Sequence, residues 1–162
     1  MLTQASLNRA LAGDCSDALS LLKLAHDLPQ GPVAVFRGGM TAALCNKQDE
    51  TEQAIADLEQ LRSNGLAATK YGPFELKAAM ALSKKDPAQA LQMLEEIDPQ
   101  NDPSMLPYLR QLAYTESGNP RQAVDNLRTI MDHRGSVYLS GISVYPQATQ
   151  DLDRALGTAR NR

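Results

Sequence analysis

Apolar and polar positions recur along this chain in one pattern, four times over. A small residue is followed four positions later by an apolar residue, and by another three positions after that. The segments read AGDCSDALSLLKLA at 12–25, KQDETEQAIADLEQL at 47–61, KKDPAQALQMLEEI at 84–97 and SGNPRQAVDNLRTI at 117–130. Aligned on Ala18, Ala54, Ala90 and Ala123, they lie 36, 36 and 33 residues apart. The apolar partners are Leu22 and Ala25, Leu58 and Leu61, Leu94 and Ile97, Leu127 and Ile130. This spacing puts the three residues of each set on one helical face, so it predicts four amphipathic helices with buried leucines.

The starts of these helices share a chemistry. Asp86-Pro87 and Asn119-Pro120 place a capping side chain before a proline, whose missing N–H costs nothing at the first helical position. Gln89 and Gln122 follow three residues after the cap, as in a capping box. Asp14 and Asp49 are the expected caps of the other two copies, and Gly13 and Gly118 the expected left-handed stops of the helices before them. Those preceding helices are expected at about 2–12, 34–47, 73–84 and 104–116, with Pro73 and Pro103 marking two starts. A fifth begins near Pro146, with Leu152, Ala155, Leu156 and Ala159 as its apolar stripe. Segments 29–33, 64–72, 98–103 and 135–145 read as loops, being rich in Gly, Pro, Asn or Asp. In the last, Val137, Leu139, Ile142 and Val144 alternate, but a lone hairpin on a helical array is poorly supported. The chain is thus one domain, 1–162, with pairs at about 2–28, 34–63, 73–97 and 104–134 and half a pair at 146–159.

Composition supports helices. Leu and Ala supply 45 of 162 residues, Val and Ile only nine. The first two suit helices and the second two suit strands, which excludes an all-β fold and disfavours a parallel α/β sheet. The net charge is −3, the densest basic run is Lys84-Lys85, and there is no Trp. Nucleic-acid binding needs a basic stripe or a stacking platform, and neither is present, so no nucleic-acid partner is expected. No apolar run approaches a membrane span, and MLTQASLNRALAGD lacks the pattern of a signal peptide. Cys15 and Cys45 are read as two small buried or half-buried thiols, with a disulfide between them left open, since two cysteines make no framework.

The repeated segments resemble the tetratricopeptide repeat, whose period is near 34 residues and whose second helices carry a small residue followed four later by a bulky one. Tyr114-Thr-Glu-Ser-Gly118-Asn-Pro-Arg-Gln-Ala123 carries the likeness best. It covers about 2–134 and the half-repeat at 146–159. No large aromatic opens the first helices, where the family often has one. The resemblance implies an all-α, right-handed α-solenoid of antiparallel helix pairs. Pro107–Tyr114, its continuation to Gly135, and Leu76–Ala90 are also similar to degenerate repeat tails of bacterial signalling proteins, behind Ser/Thr kinase or winged-helix domains. That likeness implies two alternatives for the compartment. The chain would be cytoplasmic if it stands alone, and extracytoplasmic if it is the tail of a membrane-anchored protein.

Chemistry-bearing residues are few. Asp132-His133-Arg134-Gly135 and His26 read as helix ends, where cations favour the dipole. Glu95-Glu96 reads as a solvated face. With two histidines more than 100 residues apart, no zinc set is expected, and no catalytic residue, cofactor or metal is assigned. Under the repeat resemblance, the concave face is lined by the first helix of each pair. It would comprise Met40, Ala43, Lys47, Glu75, Ala79, Leu82, Tyr108, Leu112 and Thr115. The expected function is non-catalytic binding of a peptide or partner helix there. The alternative is a regulatory or sensory tail for a kinase or winged-helix head outside this chain. For the last helix, a solvated cap and self-association through 146–162 both stand as expectations.

Overall fold

The computed structural model of the chain describes residues 1–61, 65–98, 105–133 and 144–160. The described residues form ten helices and no strand. The helices are α1 (Leu2–Leu11), α2 (Cys15–Ala25), α3 (Pro32–Leu44), α4 (Gln48–Gln60), α5 (Ala67–Lys70), α6 (Gly72–Ser83), α7 (Pro87–Glu95), α8 (Met105–Glu116), α9 (Pro120–Asp132) and α10 (Tyr145–Arg160). α1 packs on α2, α3 on α4, α6 on α7 and α8 on α9, and each later pair packs on its predecessor. The all-helical fold and the four packed pairs therefore stand as read from the sequence.

One turn joins the two helices of every pair. Its pivot is a left-handed residue: Gly13 (φ 84°), Asn46 (φ 58°), Lys85 (φ 64°) and Gly118 (φ 73°). The N–H of the next residue reaches back to a carbonyl in the preceding helix. Asp14 bonds to Arg9 O at 2.9 Å, Lys47 to Ala42 O at 2.8 Å, Asp86 to Ala81 O at 2.9 Å and Asn119 to Tyr114 O at 2.8 Å. These are Schellman closures, which satisfy carbonyls that a helix end would otherwise leave open. Only two pivots are glycine, so only those two are legible as stops in the sequence. Asp14 and Asp86 cap as expected, accepting from the backbone of Asp17 (3.2 Å) and Gln89 (2.9 Å). Asp49 does not cap, because α4 starts two residues earlier, with Lys47 as its N-cap and Asp49 in its first turn. Asn119 sits at the N-cap of α9 without a side-chain bond.

The repeated alanines are all buried, Ala18 and Ala90 completely. Leu58, Leu94 and Leu127 are fully buried and join one core with Ile97, Ile130, Leu76, Leu109 and Met40. Leu22 departs from the pattern and is only half-buried. α2 packs on α1, and its contact with α3 is slight. Small residues permit a close helix approach at Gly39. A Cβ on Gly39 of α3 would stand 2.6 Å from Ala54 Cβ of α4 and 2.8 Å from Leu76 Cδ1 of α6.

Three further expectations change. Cys15 and Cys45 are not free thiols but a disulfide, joining the first residue of α2 to the end of α3 across 5.5 Å between Cα atoms. The 64–72 segment is not all loop, because α5 forms there and Thr69 and Tyr71 are buried. The docking face of α10 lies nearer its start than the expected stripe. Val144 and Ala148 are fully buried and Leu152 packs against the core, while Leu156 stays 41% exposed. The helix starts one residue earlier than expected, at Tyr145. Pro103, Arg134, Gly135 and the alternating stretch Val137–Ile142 lie outside the described residues.

Candidate functional site

The first helices of successive pairs approach one another closely at one end of the molecule and part at the other. α1 packs directly on α3 and α3 on α6; α6 touches α8 less, and α10 rests mainly on α9. Side-chain size explains the gradient. α3 carries Gly38-Gly39 and Ala42-Ala43, and α6 carries Ala78-Ala79 and Ala81, so these backbones come together. α8 instead presents Tyr108, Gln111 and Leu112.

The gradient divides the nine residues expected on the concave face. Met40, Ala43, Glu75, Ala79 and Tyr108 are buried, at 0 to 4% exposure, by packing between helices. As placed, they offer a partner no surface. Lys47 is exposed but is not on a first helix at all: α3 ends at Leu44, and Lys47 opens α4. Leu82 is half-buried against the core. Only Leu112 and Thr115 reach a common open feature.

That feature is a groove of about 1120 Å³ between α8 and α10, floored by α9. Val124, with Ala123 and Leu127 beneath it, forms an apolar floor; Leu112 and Thr115 of α8 form one wall, and Ala155 and Leu156 of α10 the other. The start of α9 at Pro120 and Arg121 lies at one end, where backbone N–H groups and the helix dipole favour negative charge. Arg128 and Arg154 line the groove too, each beside an aspartate three residues earlier, at 3.6 Å from Asp125 and 3.1 Å from Asp151. Three guanidinium groups against two carboxylates leave the groove locally positive in a chain of net charge −3.

Under the wall, Tyr108 of α8 is buried within electrostatic range of Asp151 and Arg154 of α10. Burial raises its phenol well above the ordinary tyrosine value; the nearby carboxylate of Asp151 adds to this, and Arg154 opposes it. Tyr108 therefore stays neutral. Asp151 itself is held by Gln147 Nε2, which donates at 3.0 Å, and by Arg154. Gln111 is 5% exposed, and its Nε2 lies 3.5 Å from Thr115 Oγ1. A smaller groove of about 500 Å³ runs between α4, α6 and α7, crossed by the Lys77–Glu59 ion pair at 2.8 Å.

The catalytic-looking residues stay apart. His26 ends α2 and His133 ends α9, where its Nδ1 lies 2.8 Å from Thr129 O. Among the described residues no three His, Cys, Asp or Glu side chains gather as a metal site would require, and no helix is long and apolar enough to cross a membrane. Sequence reasoning missed Val124, Arg121, Arg154 and Leu156 as groove residues, because it looked only to first helices before α10. The available signal was the run of small residues in α3 and α6 against the bulkier α8. No protein-family model, curated protein or solved structure matches this chain.

Proposed function

We propose that this chain is a tetratricopeptide-like, right-handed helical solenoid whose work is non-catalytic binding of a protein segment, and that the segment lies in the groove between α8 and α10. The repeat period and the identical turn in all four pairs support the architecture. One observation carries the function. First-helix packing closes the array at α1, α3 and α6 and opens it between α8 and α10, leaving Val124 on an apolar floor between two walls. Grooves of this kind take an extended peptide or one face of a helix. The positive balance of the groove selects a segment with an acidic residue beside its apolar anchor.

Selection from a displayed peptide library tests the reading. Peptides pairing an apolar anchor with Asp or Glu should be enriched. Val124→Asp should weaken their binding by at least about tenfold, the scale of a lost apolar anchor. Arg121→Glu should weaken acidic peptides and spare their amide analogues. Leu24→Asp, on exposed α2, should change nothing. Enriched peptides whose affinity ignores both groove substitutions would refute the site.

A further inference from the structure

The Cys15–Cys45 disulfide uses both cysteines of the chain, and it lies at the opposite end from the groove. It ties the start of α2 to the end of α3, among Ala10, Ala18, Leu19 and Leu44. α2 needs such a tie. Only Ala18 and Ala25 of this helix are fully covered, Leu24 is 66% exposed, and the contact of α2 with α3 is slight. Its polar anchors include the Ser6 hydroxyl of α1, which donates to Ala18 O at 2.7 Å, and Gln30 Nε2, which donates to Ala25 O at its end. We infer that Cys15–Cys45 is a structural disulfide that clamps the first helix pair onto the second, and that the domain matures in an oxidising compartment. Stable disulfides accumulate in such compartments and are kept reduced in the cytosol. The bond forms by exchange with a thiol–disulfide oxidoreductase. The two thiols lose two protons and two electrons, and the disulfide of the oxidoreductase is reduced to a dithiol. The clamp spans 30 residues, long enough for closure to restrict the unfolded chain substantially.

The test begins in cells making the natural full-length protein, acid-quenched and then alkylated under denaturing conditions. Neither cysteine should react until a reductant is added, and both should react afterwards. In the purified chain, dithiothreitol should lower Tm by about 5–15 °C. Cys15→Ser should do the same and abolish the response to reductant. Amide exchange should quicken in α1 and α2 and stay unchanged in α8, α9 and α10, with peptide binding in the groove unaffected. Alkylation of both cysteines in the quenched cells, or a Tm indifferent to reductant, would overturn the inference whatever the groove binds.

Discussion

Asn46 and Lys85 hold φ values of 58° and 64° that their side chains disfavour, at the positions where the other two pairs have glycine. An L-residue loses about 1 kcal/mol or more in this region, and glycine does not. Lys85→Gly should therefore stabilise the protein, by about 0.5–1 kcal/mol after allowance for glycine's freedom in the unfolded chain. The reverse change, Gly118→Ala, should cost about 1–2 kcal/mol, although no atom lies within 4 Å of the added methyl. Urea melts of the two variants check both signs. Gly39 tests sterics instead. Alanine normally gains about 1 kcal/mol over glycine inside a helix. Here its methyl would meet Ala54 Cβ at 2.6 Å, a partner that no rotamer change can move away. Gly39→Ala should thus destabilise by about 1–3 kcal/mol net. A gain in stability would mean that α3 and α4 cross elsewhere.

Among the elements, the second helices carry the plainest sequence marks. α7 and α9 have a proline at the start, a capping residue before it and a strict apolar face, and both form close to where that pattern puts them. Leu94 lies in the last turn of α7 on its apolar face, with no exposed surface. Leu94→Ala should cost about 2–5 kcal/mol, measured by denaturant unfolding, because the core can only partly collapse around the hole. Asp86→Ala, which removes the cap of the same helix, should cost about 1 kcal/mol. Three of the first helices also form within one residue of expectation, α1 at Leu2–Leu11, α6 at Gly72–Ser83 and α8 at Met105–Glu116; the exception is α3, which is buried on several sides and lacks the polar stripe that marks an amphipathic face. α3 begins two residues before the expected start and ends three before the expected finish, which moves Lys47 to the next helix. α5 escaped notice because four residues carry no periodicity. The disulfide stays open in the sequence, because 30 residues separate its cysteines and the packing of α2 beside α3 brings them together.

At the scale of the molecule, repetition along the chain did not fix how each pair meets the next. That depends on side-chain volume between first helices, which a pattern of apolar and polar positions does not record. Small residues let α3 and α6 seal the face on which Met40, Ala43 and Ala79 were expected to bind a partner, while Tyr108 and Leu112 on α8 go with an open groove. Leu156 stands at the rim of that groove. Leu156→Lys should leave helix content unchanged by circular dichroism, since 41% of the side chain already meets solvent, and should weaken peptide binding. The most direct test of the account is NMR of isotope-labelled protein titrated with a selected acidic, apolar-anchored peptide. The account predicts saturable shifts of the Leu112, Thr115, Arg121, Val124 and Ala155 signals, with those of α1 to α4 unmoved. Shifts centred on α3 and α6, with the α8–α10 groove silent, would contradict it.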